Sequence, residues 1–312
     1  MLARRLASGL LLGLSVALAS ATAGAQTKVL RVVPHADLTL LDPVFAATLI
    51  TREYGLMIYE ELFAWDTKLQ PKPQMVENWS ISPDGLTWRF TLREGLKFHD
   101  GQAVTTDDVI PSLRRWMARD SVGTTIRAVL ASINPVDQKT FELQLTKPFA
   151  NLLFSLGSGV GQIPVIMRAK DLDGDPAKPV GTAIGSGPFR FNHSARVSGA
   201  LTVFDRNPDY APRSEPADGL SGGRVAKVDR VEWRVIPDAA TAAAALQNGE
   251  VDIWEQPAFD LVPLLMQNRS IRVQRAHSLS IQAFLRANAL YPPFDNPKAR
   301  LALAYIINQA ES

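Results

Sequence analysis

From residue 86 the chain alternates strictly: in "LTWRFTL" the apolar Leu86, Trp88, Phe90 and Leu92 are separated by Thr87, Arg89 and Thr91. Period two predicts a strand with one buried and one wet face. Ser82-Pro83-Asp84-Gly85 precedes it, with proline at the first central turn position and glycine at the last, so "ENWSIS" becomes its hairpin partner. Upstream, "TKVLRVVP" (27–34) reads as a first strand. Ile50, Tyr54, Met57, Ile58 and Leu62 then recur at helical spacing and predict a helix from about Thr48 to Leu62. Downstream, "KFHDG" is a second turn. Thr105 or Thr106 caps a helix whose first turn holds Asp107 and Asp108, favourable against the helix dipole. Pro111 predicts a distorted turn or a delayed start. Another hairpin follows in "INPVDQKTFELQLTKPF", with Phe141, Leu143 and Leu145 on one face.

The second half reads differently. Residues 157–188 are rich in Gly, Pro and Asp and predict a crossing between domains, and "PDYAPRSEPADGLSGGR" (208–224) predicts an exposed excursion. Around that excursion, "GPFRFNHS", "GALTVFDRN" and "VDRVEWRVI" read as strands. Asp238 caps an Ala-rich helix that Gly249 closes, and Val251 to Trp254 is extended again. "DLVPLLMQN" predicts a short helix, and "IRVQRA" and "IQAFLRAN" two strands. A final helix starts with Asn296 as cap and Pro297 at its first position. Strand–helix alternation in one part and an antiparallel meander in another predict an α/β protein with at least two lobes.

Composition changes this picture at one end. Met1 to Arg5 is basic, Leu6 to Ala21 is apolar and small, and Ala23-Gly24-Ala25 fits a signal-peptidase site. Residues 1–25 are therefore expected to be a cleaved export signal. No cysteine follows to carry a lipid, so a soluble periplasmic protein is expected, and disulfides and thiolate chemistry are excluded. Losing Arg4 and Arg5 from the 33 Lys and Arg leaves 31 basic against 31 acidic residues. That balance offers no electrostatic surface for nucleic acid.

Residues suited to catalysis are scattered. His35, His99, His193 and His277 lie dozens of positions apart with no H-x-x-x-H, so the spacing offers no zinc motif. "GSGVG" (157–161) and "GSGP" (185–188) match neither nucleotide-binding glycine pattern and read as turns or close packing. Ser186 sits in G-S-G rather than in a G-x-S-x-G elbow. Trp254-Glu255, at a strand end, reads either as a ligand-facing pair or as an aromatic packed at a domain edge.

Five runs together resemble the dipeptide/oligopeptide/nickel-type extracellular solute-binding proteins that serve ABC importers. They are "ENWSISPDGLTWRFTLREGLKFHDGQAVTTDDV", "GSGPFRF", "RNPDY", "RVIPDAATAAAALQNGEVDI" and "PPFDNPKARLALAYIINQA". The resemblance implies a bilobal periplasmic-binding-protein-like fold with hinged lobes. Residues 26–64 and 180–271 would form domain I, 65–179 an inserted small domain II, and 272–312 the start of domain III, with most of that C-terminal lobe lacking. It further implies a monomer that binds a small solute or a di- or oligopeptide, closes on it and docks on an inner-membrane ABC permease, with no enzymatic activity and no cofactor. The positions it points to for ligand are Ala47, Thr48, Ser186, Trp254, Glu255 and Asn288. Two rival readings stand beside it: a secreted hydrolase using Ser186 or Ser158 with one of the histidines, and a fragment whose domain III elements lack partners.

Overall fold

The computed structural model describes residues 27–175, 178–275 and 285–307. The expected signal segment and His277 lie outside them. Contacts divide the chain into a large unit up to Leu265 and a small one from Met266.

The large unit is built on two sheets. In the first, β1 (Val29–Val33) lies parallel to both β10 (Arg230–Arg234) and β11 (Ile253–Trp254). Antiparallel strands β9 (Leu201–Arg206) and β8 (Phe189–Phe191) extend it beyond β10. One face buries Phe191, Phe204, Val231 and Trp233. Against Val33, at the end of β1, pack Ala242 and Ala245 of α5 (Ala239–Gln247). Asp238 caps that helix, its carboxylate accepting from the Thr241 N–H at 2.7 Å.

The second sheet is an antiparallel meander in the order β4 (Val76–Ile81), β5 (Thr87–Leu92), β7 (Thr140–Leu145) and β6 (Leu130–Pro135). Its alternation places Trp88, Phe90 and Leu92 opposite Leu143 and Phe141 on one apolar face, with the Phe90 and Phe141 rings 5.2 Å apart. Helix α2 (Thr106–Arg119) supplies Val109, Ile110, Leu113, Trp116 and Met117 to the same core. Asp108 Oδ2 reaches back to the Thr105 N–H at 3.1 Å, which fixes the helix start. Between the sheets, β2 (Phe63–Trp65) and β3 (Pro71–Pro73) form a short ribbon. One continuous apolar cluster joins the two sheets, running from Trp88 and Phe141 to Phe204 and Trp233. Two short helices complete the meander's surroundings, α3 (Ser121–Val129) and α4 (Leu152–Leu156). Asp120 caps α3 by accepting from the Val122 and Gly123 N–H groups.

Four expectations are corrected. Helix α1 (Leu49–Ile58) stops one turn before Leu62. The Ile58 carbonyl, which another turn would use internally, instead accepts from the Gly187 N–H at 2.9 Å. Glu60 likewise gives its carbonyl to the Ile166 N–H at 2.9 Å. Long-range backbone bonding has overridden local periodicity. Second, α2 begins at Thr106 and runs through Pro111. The missing N–H costs one bond to the carbonyl of exposed Asp107, and the buried apolar face outweighs it. Third, the 208–224 excursion is anchored rather than simply exposed. Arg224 reaches in to Glu60 at 3.2 Å and Glu61 at 3.1 Å, both carboxylates fully buried, and Tyr210 donates to Glu60. Fourth, residues 271–275 form no strand, nor do 285–288, the described part of "IQAFLRAN". The side chains there are exposed, and no neighbouring strand supplies a ladder among the described residues.

The small unit contains the end of α6 (Val262–Gln267) and α7 (Pro297–Ile306). Asn296 caps α7, accepting from the Lys298 N–H at 2.9 Å, with Pro297 at the first position.

Gly185 is packed tightly against the end of α1. A Cβ there would lie 1.8 Å from the Ile58 carbonyl oxygen, inside the repulsive wall. Gly185→Ala is expected to lower stability by about 3 kcal/mol in urea unfolding. Gly181→Ala, with nothing within 4 Å of its added carbon, should leave the midpoint nearly unchanged.

Candidate ligand-binding site

Parallel pairing determines what meets at the carboxyl edge of the first sheet. Val33 and Trp254 are register partners, so the chain leaves β1 and β11 side by side. In open α/β sheets such carboxyl ends are where ligands bind. Glu255 donates its N–H to the Val33 carbonyl at 3.0 Å. Its Oε2 accepts from the His35 backbone N–H at 3.0 Å and lies 2.9 Å from His35 Nδ1. Helix α1 crosses the same edge and places Glu53 Oε2 3.7 Å from His35 Nδ1. The three side chains are 16%, 31% and 28% exposed for His35, Glu53 and Glu255.

Two carboxyl groups this close do not both ionise readily. Burial first, then the hydrogen bond to and charge of Glu255, push Glu53 up to about 8, against the pull of Arg52. For Glu255 burial acts upward, but hydrogen bonds from Glu53 and His35 outweigh it and hold the group below its ordinary value. The two carboxyl groups are thus pushed in opposite directions, Glu53 upward and Glu255 downward.

Two exposed residues precede α1. Ala47 and Thr48 are exposed, and Thr48 makes no side-chain cap; its hydroxyl donates to Thr51 Oγ1 at 2.9 Å. No acidic side chain sits in the first turn, so none there offsets the positive helix end. Asp42 holds the approach to this helix. Fully buried, its carboxylate accepts from the Val44 and Phe45 N–H groups, from both Arg115 terminal nitrogens at 3.0 and 2.5 Å, and from the Val180 N–H at 2.7 Å.

Of the positions expected at a ligand, Glu255 reaches the carboxyl edge, and Ala47 and Thr48 are exposed at the start of α1. Trp254 is half-buried and packs against the Val33, Ala242, Ala245 and Val251 cluster. Ser186 is 3% exposed, and its Oγ has no hydrogen-bond partner among the described residues. Asn288 belongs to the small unit, where it is exposed and accepts from the Leu290 N–H at 3.1 Å. Sequence reasoning missed His35 and Glu53. His35, two positions past a predicted strand, was legible from the carboxyl-end rule, whereas nothing local marked Glu53.

The histidine nearest Ser186 is not free to act as its base. His99 Nδ1 accepts from the Gly185 N–H at 3.2 Å and Nε2 donates to the Gly187 carbonyl at 3.2 Å. Both nitrogens are spent on the backbone flanking the serine. Ser158 Oγ donates to the Val160 carbonyl at 3.1 Å. Away from this edge, a cavity of about 570 Å³ opens between α2 and residues 171–182, lined by Arg114, Arg119 and Val180 among others; it contains none of the expected ligand positions.

Residues 70–312 match the family model described as bacterial extracellular solute-binding proteins, family 5 middle. The chain belongs to this family. It is 39% identical over 306 residues to a probable peptide ABC transporter periplasmic-binding protein, y4tO, of Sinorhizobium fredii, covering 97% of the chain and 57% of that relative. It is 29% identical over 311 residues to the glutathione-binding protein GsiB of Escherichia coli K12, covering 97% and 56%. Among solved structures, DppA of Helicobacter pylori in complex with the peptide STSA aligns with TM-score 0.74 and 25% identity over 91% of this chain and 57% of that one. MoaA of A. tumefaciens R10, in complex with mannopinic acid, aligns with TM-score 0.74 and 26% identity over 91% and 56%. The chain thus spans just over half the length of the curated relatives it matches. The expected periplasmic-binding-protein-like fold is the observed one, and the relatives are binding proteins rather than enzymes. Among the described residues no helix is long and apolar enough to cross a membrane.

Burial pulls His99 down to about 4 from 6.5, with the hydrogen bond to Gly187 opposing. A depressed histidine binds protons more weakly folded than unfolded, so stability is full above 6.5 and is lost as pH falls toward 4. Stability measured by urea unfolding should drop between these limits by on the order of 2–3 kcal/mol through this group. His99→Gln should lose stability at neutral pH and show a correspondingly flatter profile.

Proposed function

We propose that this protein is the periplasmic solute-binding component of an ABC importer, and that a di- or oligopeptide is its solute. The observation that carries the reading is the family match, supported by the small exposed side chains at the start of α1. The exposed α1 N-terminus at Ala47 and Thr48 suits an anionic group of the solute. An extended peptide is held chiefly by main-chain hydrogen bonds, with its side chains in roomy pockets, which suits a site containing Ala47 and Thr48 rather than large anchors.

In this reading residues 26–64 and 180–271 form domain I, 65–179 the inserted domain II, and 272–312 the start of domain III. The composition of the two sheets supports the first two assignments, since one draws on 29–33 and 189–254 and the other on 76–145. A solute that bridges two lobes binds the closed arrangement better than the open one and shifts the population toward it. The closed form then docks on the inner-membrane permease. Ala47, Thr48, Ser186, Trp254, Glu255 and Asn288 are the solute contacts in this reading.

Thermal unfolding with a panel of di- to tetrapeptides, glutathione and opines tests this. A bound solute at about 100 times its Kd should add about 2.7 kcal/mol of stability and be recovered chemically unchanged. Ala47→Arg, at an exposed position, should leave the free protein's stability unchanged and abolish the shift. Conversion of any solute, or no shift across the panel, would contradict the proposal.

A further inference from the structure

Two pairs of neighbouring carboxylates in the large unit are treated differently. Glu60 and Glu61 are buried with Arg224 between them, which supplies the positive charge the pair needs. Glu53 and Glu255 have no such partner: among the described residues the ion pairs they make are both with His35. The nearest guanidinium, Arg52, gives its NH1 to the Gly159 carbonyl at 2.8 Å instead. The edge of the sheet thus carries one imidazole and two carboxylates, with no arginine paired to them among the described residues.

We propose that His35, Glu53 and Glu255 form a binding site for a first-row divalent cation. Their ligating atoms all lie within 4.8 Å of one another. Metal–ligand bonds of about 2.1 Å place neighbouring donors about 3.0–3.5 Å apart. The observed separations from His35 Nδ1 are 2.9 Å to Glu255 and 3.7 Å to Glu53, so two contacts need shifts of only a few tenths of an ångström. Three separate elements supply the donors: the exits of β1 and β11, locked by parallel pairing, and the second turn of α1. Glu255 is further oriented by the His35 backbone N–H, the kind of outer hydrogen bond that fixes a metal ligand. A donor set of one imidazole and two carboxylates suits Zn²⁺, Mn²⁺ or Ni²⁺ rather than a soft ion. Three protein donors leave a coordination position open, and the partial exposure of all three side chains gives the ion and a carboxylate or amine of a bound solute a way in. The site itself does not depend on which solute the protein carries.

The test is calorimetric titration of the chelator-stripped protein with Zn²⁺, paired with the visible spectrum of the Co²⁺ form. One equivalent should bind, with a Co²⁺ band of low coordination number. His35→Ala and Glu255→Gln should each weaken Zn²⁺ by at least about 10-fold. The partly exposed, near-isosteric Glu53→Gln should do the same while thermal unfolding of the metal-free protein stays cooperative. His193→Ala should leave uptake unchanged. Absence of stoichiometric uptake, or uptake that survives the His35 and Glu255 variants, would overturn the site.

Discussion

The architecture hangs on a single buried carboxylate. Asp42 accepts five hydrogen bonds and joins three parts of the chain: its own loop, helix α2 through Arg115, and the returning segment at Val180. Arg115 is itself 8% exposed, so this ion pair lies almost wholly out of water. Such a pair adds little stability compared with an apolar packing of the same volume, but losing one partner strands a charge at a cost of about 3–5 kcal/mol. Its value here is positional. By holding residues 42–45 against α2 and the 180 segment, it sets where α1 begins, and α1 carries Thr48 and Glu53 to the edge of the first sheet.

A second constraint closes the frame from the other end of α1. Gly185 and Gly187 pass against the Ile58 carbonyl so closely that neither can carry a side chain without displacement. His99 locks that passage by bonding the backbone on both sides of Ser186. A helix pinned at both ends is a rigid support for a site. Around it, the histidine beside Ser186 is committed to structure, while the carboxyl edge carries the acidic cluster of Glu53 and Glu255 with His35.

Much of the fold was legible because it is local. The alternation at Trp88, Phe90 and Leu92, the cap residues Asp238 and Asn296, and the glycines at 185 and 187 each announce their role within a few positions. The elements that escaped are those decided by distant partners. α1 ends at Ile58 because Gly187 takes its carbonyl, and the 208–224 excursion is anchored because Arg224 has two buried carboxylates to meet. The candidate site shows the same division. Ala47, Thr48 and Glu255 came from family resemblance, whereas His35 and Glu255 stand 220 positions apart and meet only because β1 and β11 run parallel in register. No sequence window spans that relation.

The central claim is that solute is held, unreacted, at the carboxyl ends of β1 and β11. Hydrogen–deuterium exchange with and without a tripeptide library measures it directly. The account predicts added protection in the segments around His35, Thr48 to Glu53 and Glu255. Protection confined to the cavity between α2 and residues 171–182, with those segments unchanged, would contradict it.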